Sequence, residues 1–355
     1  MFPSFTAVPA YTLAMGKTLV VTNSLTGGGA ERSMNSLVNL LHANSIEVLL
    51  FPINEGSADA VLPDCEVVAP VRAWKAGLIP TLISFLKFRA KVRDINPDLV
   101  IANCELPELY SVFLPIRMNL IFVEHTTKPW RNLRLLGFFI RAVAIFRKTY
   151  WVLVSDHLKS NWFSRKSSCI IPNLISASQN RLADGCLADP RIVFIGRLSS
   201  EKDPELFLEI VRLCDQPAIV IGTGVNLDNL VAQNQMSNGR AIFLGQLNNP
   251  WAQLHSNDII LLTSRYEGDG LVLLEAISRN LPVLVRDIPD LRRFSLPEVN
   301  YFQSATIAAR RLQDFRSHPE GLRIPLEIAH RILSTREDKV ILSSWVELID
   351  RFTNP

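Results

Sequence analysis

The chain has 355 residues, 48% of them hydrophobic and 20% charged, and a formal net charge of +3. This composition indicates a globular protein that is long enough for two hydrophobic cores, so we expect two domains. The five cysteines stand singly, without the spacings of a zinc site or a disulfide framework. No stretch of about twenty apolar residues lacks a charge, which excludes a clear transmembrane helix. These patterns favour a reducing compartment.

The positions of the charged residues bear on targeting and on partners. No basic residue precedes Lys17 in the apolar N-terminal segment, so we expect no signal peptide, and Met15 is an alternative start to Met1. Residues 1–187 contain 19 Lys and Arg against 13 Asp and Glu, whereas the remainder contains 18 against 21. We therefore expect an anionic surface or substrate to meet the first half of the chain.

Short apolar runs alternate with helix-like segments such as 31–43 and 80–94, which is typical of βαβ units. The first series of predicted strands is KTLVVTN (17–23), IEVLLFPI (46–53), PDLVIAN (97–103), NLIFVEH (119–125) and TYWVLVSD (149–156). Residues 170–190 then become polar and loop-like. The second series is RIVFIGR (191–197), PAIVIGTG (217–224), RAIFLGQL (240–247), NDIILLTS (257–264) and LPVLVRD (281–287). We therefore predict two parallel-sheet domains joined near residue 180.

The residues just after each strand are the first candidates for a site, because open parallel sheets bind ligands beyond the carboxyl ends of their strands. The first strand leads into SLTGGGAERS (24–33), whose glycines open a helix and whose backbone N–H groups suit a phosphate or a sugar. The first strand of the second series leads into Arg197 and Lys202, two cations with reach for a diphosphate. Both segments also have a structural alternative. In that alternative the glycines would form only an ordinary tight turn, and Arg197 and Lys202 would pair with Glu201 or Asp203.

The segment SRYEGDGLVLLEA (264–276) carries a lone carboxylate, Glu275, where a core residue is expected. Burying an unpaired carboxylate is costly, so a partner or a ligand should match it. Arg279, one helical turn later, is the structural candidate. A ligand is the functional alternative.

These segments resemble the family 4 retaining glycosyltransferases. The resemblance rests on FIGRLSSEKDPELFLEIV (194–211) and NDIILLTSRYEGDGLVLLEAISRNLPVLVRDIP (257–289), which contain that family's Glu-x7-Glu spacing in Glu267 and Glu275. Looser similarities in the first half are TGGGAERS, VEHTTKPW, VLVSDHLKSNW and IIPNLI. The resemblance extends over about residues 17–345.

The resemblance implies an α/β chain of GT-B architecture, with two Rossmann-like parallel-sheet domains facing a cleft. The first domain would span residues 1–180 and the second, which binds the nucleotide sugar, residues 181–337. The C-terminal segment 338–355 has apolar residues at helical spacing, and in relatives the last helix crosses back to the first domain. We expect the same crossing here.

The resemblance also implies a role for each candidate residue. Glu275 would accept hydrogen bonds from the ribose hydroxyls, and Glu267 would contact the transferred sugar. Arg197 and Lys202 would hold the diphosphate together with backbone N–H groups at the following helix N-terminus. The residues assigned to the nucleotide site besides Glu275 are Gly268, Asp269, Gly270, Leu271, Gly28, Gly29, Gly196 and Gln246.

His125 ends the fourth predicted strand and resembles the family's histidine that faces the donor sugar across the cleft. The alternative is a loop histidine hydrogen-bonded with Glu124. Gly28 and Gly29 would let the first loop approach the diphosphate or the acceptor closely, because they have no side chain.

The implied reaction transfers a sugar from a nucleotide diphosphate, UDP or GDP, to an acceptor hydroxyl with retention at the anomeric carbon. We expect no cofactor and no metal, since the chain lacks an Asp-x-Asp motif. Three positions depart from the family pattern and leave the donor sugar open: Asp269, Arg279-Asn280 and 287–290. The alternatives are a GT-B epimerase, a dehydrogenase argued from GTGVN (222–226), and a non-catalytic carbohydrate-binding protein.

The expected partners are the nucleotide sugar, a glycan or lipid-linked acceptor and an anionic membrane surface, but not nucleic acid. The expected location is cytoplasmic, at the inner face of the membrane. The membrane interpretation rests on a predicted helix over 131–148, in which basic residues share one stripe and apolar residues cover the side that would pack on the domain. The basic residues are Arg131, Arg134, Arg141 and Lys148, with Phe138 and Ile145 interleaved among them, and the apolar residues of the opposite side are Leu136, Phe139, Ile140, Val143 and Phe146. A solvated basic face, or one that binds an acceptor phosphate, is the alternative.

Overall fold

The computed structural model describes most of the chain. The described residues are 16–25, 28–56, 63–73, 77–131, 133–160, 167–175, 182–187, 189–237, 239–317 and 319–354. Both alternative start residues, Met1 and Met15, and the predicted domain boundary near residue 180 lie outside them. None of the described helices is long and apolar enough to span a bilayer.

The first half of the described chain forms one parallel sheet flanked by helices. Its strands are β1 (Thr18–Thr22), β2 (Val48–Pro52), β3 (Glu66–Val67), β4 (Leu99–Asn103), β5 (Asn119–Glu124), β6 (Tyr150–Leu153) and β7 (Ser168–Ile170). Its helices are α1 (Gly29–Ala43), α2 (Leu78–Ile95), α3 (Glu105–Ser111) and α4 (Arg134–Phe146). The spatial order of the strands is β3-β2-β1-β4-β5-β6-β7. Strands β1, β2 and β4 are buried at every residue, because helices cover both faces of the sheet.

The second half repeats this plan. Its strands are β8 (Ile192–Ile195), β9 (Ala218–Ile221), β10 (Ala241–Gly245), β11 (Ile259–Leu262), β12 (Val283–Arg286) and β13 (Tyr301–Phe302), in the spatial order β10-β9-β8-β11-β12-β13. Its helices are α5 (Pro204–Cys214), α6 (Leu227–Met236), α7 (Leu271–Ser278), α8 (Pro289–Arg292), α9 (Ala305–Ser317) and α10 (Leu326–Leu333). The predicted α/β fold with two parallel sheets is confirmed. The short strands β3, β7 and β13 lie outside the predicted runs.

The strand orders determine where ligands can bind. In the first sheet β1 neighbours β4, and in the second β8 neighbours β11, so the direction of winding reverses between these strands. Such reversals leave a crevice at the carboxyl ends, where ligands of parallel sheets bind. Gly28 and Gly29 after β1, Arg197 after β8 and the acidic turn after β11 (residues 264–270) all lie at these two points.

The last helix, α11 (Asp338–Thr353), returns to the first domain. Its buried side chains Ile341, Trp345 and Ile349 belong to the same hydrophobic cluster as the first sheet. The amide side chain of Asn119 at the start of β5 donates to the carbonyl oxygen of Phe352, at 2.7 Å. The chain therefore crosses between the domains twice, once before the second sheet in sequence and once after it.

The prediction for the helix around 131–148 was wrong for Arg141 and for part of the expected core face, whereas Arg131, Arg134 and Lys148 are exposed as predicted. Arg141 does not lie on an outer basic stripe but is only 3% exposed, with its guanidinium donating to Glu108 at 3.0 Å and to Glu124 at 2.5 Å. Two buried carboxylates from α3 and β5 draw this arginine inward. The helix is consequently rotated so that Leu136, Phe139 and Phe146, which were expected in the core, are exposed.

The packing of α11 gives a stability prediction. Replacing the buried Trp345 with Ala should lower the free energy of unfolding of the first domain by about 3–5 kcal/mol, because it removes a large core side chain and leaves a cavity. The matched control is Val340→Ala on the same helix, since Val340 is exposed; it should change stability by less than about 0.5 kcal/mol. Urea unfolding followed by tryptophan fluorescence and circular dichroism measures both. Equal midpoints for the two variants would contradict the packing of α11 on the first core.

Candidate active site

Two helix N-termini from opposite domains meet in the cleft. Helix α1 begins at Gly29 and α7 at Leu271, and a Cβ atom on Gly29 would lie only 2.8 Å from Leu271 Cδ1. A Cβ atom on Gly28 would lie 3.9 Å from Arg197 Nε, so the cation after β8 also reaches this point. Among the described residues, no side chain caps either helix. The first-turn N–H groups of both helices are therefore available to an anion.

The acidic turn before α7 contacts the end of β5 through backbone atoms. A Cβ atom on Gly268 would overlap the carbonyl oxygen of His125, so only glycine fits there. Gly270, which caps α7, has a φ of +70°, a left-handed conformation that glycine adopts without strain. This contact brings His125 from the first domain against the motif of the second.

His125 has an unpaired nitrogen in the cleft. Its Nε2 atom is buried and has no hydrogen-bond partner within the described chain. Glu124, the alternative partner, binds Arg141 instead. Burial lowers the pKa of His125 to about 4, against the opposing attraction of the Asp269 charge. The imidazole is therefore neutral at pH 7 and can exchange a hydrogen bond with a hydroxyl group.

The two predicted cations have different partners. Lys202 Nζ donates to Glu267 Oε1 at 2.7 Å, and Ser264 Oγ donates to the same oxygen at 2.6 Å. The alternative that Lys202 pairs with Glu201 or Asp203 is therefore wrong. Arg197, in contrast, does pair with Glu201, at 2.7 Å, as its alternative states. That pair lies at the surface, where ion pairs contribute little, so Arg197 can exchange it for a ligand at low cost.

Glu275 has no structural partner for one of its carboxylate oxygens. It lies in α7 between the buried residues Leu274 and Ala276, and Oε2 is buried without a hydrogen-bond partner in the described part of the chain. Arg279 does not supply one, because its guanidinium donates to the backbone carbonyl of Glu275 at 2.7 Å and lies over the Trp251 ring. A buried acceptor without a donor is costly, and two hydroxyl groups of a ligand would satisfy it.

The other residues predicted for the nucleotide site are Asp269, Gly196 and Gln246, and they lie in different surroundings. The Asp269 carboxylate is fully engaged by neighbouring arginines and Asn173, which leaves only its backbone N–H for a ligand. Gly196 lies where β8 and β9 approach each other, since a Cβ atom on Gly222 would overlap its carbonyl oxygen. Gln246 is exposed at the end of β10, two strands away from β8.

The structure adds residues that the sequence analysis did not assign. Arg131 Nη1 donates to the hydroxyl of Tyr266 at 2.7 Å, and Lys128 Nζ lies 4.6 Å from the centre of the same ring. His157 Nε2 donates to the backbone carbonyl of Glu267 at 3.3 Å. Lys128, His157 and Asn173 lie within VEHTTKPW, VLVSDHLKSNW and IIPNLI, respectively. These looser similarities to the family could therefore have indicated the three residues as parts of the site. No group of three or more His, Cys, Asp or Glu in the described residues is arranged to hold a metal ion.

Known proteins resemble the chain in sequence. Residues 187–302, most of the second domain, match the family described as glycosyl transferases group 1. The O-antigen biosynthesis glycosyltransferase WbnH of Escherichia coli is 26% identical over 276 residues, which cover 74% of this chain and 78% of WbnH. The chain is a glycosyltransferase whose second domain matches the group 1 family. The Campylobacter jejuni N-acetylgalactosamine-N,N'-diacetylbacillosaminyl-diphospho-undecaprenol 4-alpha-N-acetylgalactosaminyltransferase is 25% identical over 300 residues, which cover 77% of this chain and 81% of that enzyme.

The fold of this glycosyltransferase is also found in solved structures. HepE of Anabaena, solved in complex with UDP and glucose, superposes with a TM-score of 0.78 and 17% identity over 95% of this chain and all of HepE. WaaG, a glycosyltransferase involved in lipopolysaccharide biosynthesis, superposes with a TM-score of 0.67 and 13% identity over 95% of this chain and all of WaaG. These relatives are transferases, so the epimerase and binding-protein alternatives are not favoured. The glycines of GTGVN have a structural reason, because Cβ atoms there would overlap the backbone after β8.

The environment of His125 predicts how stability depends on pH. The ordinary pKa of histidine is 6.5 and that of folded His125 is about 4, so the unfolded chain binds this proton more readily. The resulting destabilisation is absent above pH 6.5 and grows as the pH falls toward 4. The melting temperature of the wild type should therefore fall more steeply over this range than that of His125→Gln. His330→Gln, at an exposed position, should follow the wild type, and three parallel curves would show that His125 is not buried uncharged.

Proposed function

We propose that this glycosyltransferase transfers a sugar from a UDP-linked donor to a lipid-linked acceptor with retention at the anomeric carbon. The observation that carries the proposal is the buried, unpaired Oε2 atom of Glu275 in an otherwise apolar helix. The ribose of a nucleotide offers two adjacent hydroxyl donors, which match a carboxylate. The presence of UDP in the structurally similar HepE supports uridine as the base.

The diphosphate of the donor would lie at the N-terminus of α7. The N–H groups of Gly268, Asp269, Gly270 and Leu271 begin that helix, and the partial positive charge of a helix N-terminus favours an anion. Lys202 would contribute a charge from one side, and Arg197 from the other once it leaves Glu201. Gly28 and Gly29 allow the α1 N-terminus to approach the same group. The site would thus stabilise the charge that develops on the leaving diphosphate.

The donor sugar would lie between Glu267 and His125. Lys202 and Ser264 both donate to Oε1 of Glu267, which orients the carboxylate toward the cleft. The neutral His125 of the first domain, whose backbone lies against the neighbouring Gly268, has a buried Nε2 atom without a partner in the described chain. A polar pair of this kind can hold sugar hydroxyl groups in one orientation, and orientation is a large part of the rate enhancement of a transfer reaction.

The proposed reaction takes place on one face of the sugar. The bond from the anomeric carbon to the diphosphate oxygen breaks, and its electron pair stays on the diphosphate. The acceptor oxygen bonds to the same carbon from the same face, and its proton passes to the leaving diphosphate oxygen. No side chain needs to form a covalent intermediate, so Lys202 and Arg197 contribute through charge alone. The proposed reaction is metal-independent.

A basic cluster at the mouth of the cleft supports an anionic acceptor. Lys128 and Arg131 from the first domain contact Tyr266 of the second, and the Tyr266 hydroxyl also approaches Glu201 at 3.4 Å. Lys128 and Arg131 are exposed, so both can contact phosphate oxygens. The Campylobacter relative is named for a diphospho-undecaprenol substrate. We therefore propose a lipid-linked diphosphate acceptor in cell-surface polysaccharide synthesis.

The first domain has an exposed apolar surface suited to contact with a membrane. Aromatic contacts connect α2 and α4 within this surface. The centre of the Phe113 ring lies 6.1 Å from that of Phe85 on α2 and 6.5 Å from that of Phe139 on α4. The exposed apolar residues of this surface are Ile79, Leu82, Ile83, Leu86, Phe113, Ile116, Leu133, Leu135, Leu136, Phe138, Phe139, Ile145 and Phe146. The exposed cations Arg117 and Arg134 lie among them. Such a surface can enter the headgroup region of an anionic leaflet. The enzyme would then act as a peripheral protein at the cytoplasmic face.

The test of donor binding is Glu275→Gln. The amide is a poorer acceptor than the carboxylate, and a hydrogen bond to a charged group contributes about 1.5–3 kcal/mol, so UDP affinity should fall about 10- to 100-fold. The unliganded variant should melt no lower than the wild type, because a neutral amide costs less to bury than a carboxylate. Titration calorimetry with UDP and thermal denaturation measure the two effects. Glu209→Gln, at an exposed position on α5, is the control. A Glu275→Gln protein that melts below the wild type but binds UDP with wild-type affinity would show a structural role instead.

The test of membrane contact is co-sedimentation with vesicles of phosphatidylglycerol and phosphatidylcholine. Replacing Leu135 and Phe146, which are 89% and 90% exposed, with Ser should weaken binding about 10²- to 10⁴-fold, since burying each such side chain contributes about 1.5–3 kcal/mol. Val225→Ser with Met236→Ser is the control, because these side chains are equally exposed on the second domain. Arg117→Glu with Arg134→Glu should reduce binding only when the vesicles are anionic. A wild type that stays in the supernatant with both lipids would refute the contact.

A further inference from the structure

A buried polar network joins three parts of the chain at Asp269. Its carboxylate accepts two hydrogen bonds from Arg336, each at 2.7 Å, one from Arg293 at 3.1 Å and one from the side-chain amide of Asn173 at 2.7 Å. The side chains of Asp269 and Arg336 are only 3% and 6% exposed. Asn173 follows β7 of the first domain, Asp269 belongs to the turn before α7, and Arg336 precedes α11. The network therefore lies at both points where the chain crosses between the domains.

The network extends further into the first domain. Asn173 accepts a hydrogen bond from Ser33 of α1 at 2.5 Å, and Arg336 also donates to the Asn173 carbonyl oxygen at 3.2 Å. Arg293 donates to Ser155, which follows β6. All four acceptor positions of the Asp269 carboxylate are thereby used, and a buried ionic network that is fully satisfied is rigid.

The network fixes the position of the acidic turn. Three consecutive residues of this turn contact the first domain: Glu267 through His157, Gly268 through the backbone of His125, and Asp269 through Asn173. The turn belongs in sequence to the second domain, but its position is set by the first. It is also the turn that carries Glu267 and begins the proposed diphosphate site.

We infer that Asp269 and Arg336 are a positioning pair that fixes the acidic turn against the first domain and so sets the separation of Glu267 from His125. This inference rests on the proposed function. The side chains of the pair contact no substrate, because the Asp269 carboxylate and the Arg336 guanidinium are already bonded to each other and to Asn173. Its effect would be on the alignment of donor and acceptor, where a displacement of about 1 Å can cost about 10²-fold in rate.

Weakening the Asp269–Arg336 pair should affect turnover and nucleotide affinity differently. Glu275 and most of the nucleotide contacts belong to the second domain, so the nucleotide keeps most of its binding energy when the link to the first domain weakens. Transfer also requires the donor sugar to be aligned with an acceptor held by the first domain, and this alignment depends directly on the link. A variant of the pair should therefore lower kcat much more than it raises the Kd of UDP.

The experiment compares Asp269→Asn, Arg336→Met, Arg336→Lys and the double variant Asp269→Asn/Arg336→Met in the full chain. The single changes to Asn and Met should each lower kcat about 10²-fold, with the Kd of UDP raised by less than about tenfold. Arg336→Lys should lose less, because lysine keeps the charge but not the two parallel hydrogen bonds. The double variant should be no slower than either single one, since removing both partners leaves no unpaired buried charge.

Two further measurements keep the test decisive. The control pair is Asp189→Asn and Arg316→Met, an exposed ion pair on the second domain, which should leave kcat unchanged. Amide hydrogen exchange of residues 265–271 should be faster in Asp269→Asn than in the wild type and unchanged in the control. A folded Asp269→Asn protein with wild-type kcat, wild-type exchange, or a UDP affinity reduced as much as its kcat would overturn the inference. A wild type that neither binds UDP nor transfers sugar would refute the proposed function, and the exchange comparison would still decide the positioning role.

Discussion

The backbone contact between Gly268 and His125 is the constraint on which the site depends. It brings the turn before α7 against the end of β5, and it is possible only because residue 268 has no side chain. Once this contact is made, the N-termini of α1 and α7 face each other, and Leu271 packs against Gly29. Glu267 and His125 then lie on opposite sides of one cleft. A single larger residue at position 268 would separate all of these groups at once.

Three carboxylates within nine residues illustrate how burial assigns different roles to one chemical group. Asp269 is buried and fully paired, and Glu267 is buried and paired through one oxygen. Glu275 is half-buried, and its buried Oε2 atom has no hydrogen-bond partner among the described residues. Because a buried carboxylate must be compensated, the missing partner identifies the group that can take a ligand. The fully paired group instead rigidifies its surroundings. Stability and function are thus divided between neighbouring acidic residues of the same motif.

A second buried network supports the site from the first domain. Arg141 lies between Glu108 and Glu124, and the indole N–H of Trp130 donates to Glu108 at 2.8 Å. Burial raises the pKa of Glu108 to about 7, because it penalises the carboxylate more than Arg141 stabilises it. Glu124 immediately precedes His125, and Trp130 ends the loop that carries Lys128. The same arginine that anchors this loop is the one whose burial rotates α4 and exposes its apolar side chains.

The local pattern of the chain was enough to predict the α/β class, the two series of buried parallel strands, and the candidate residues at the strand ends. These features depend on hydrophobic periodicity and on glycine, which act over a few neighbouring residues. The alternatives for Lys202 and Glu275 could not be resolved in this way, since each depends on which distant side chain, Glu267 or Arg279, reaches the charge. Arg336 gave no signal, because its partner Asp269 lies 67 residues away in sequence. The outer face of α4 was mispredicted for the same reason: helical spacing defines two faces, but the buried carboxylates of other elements choose which one turns inward.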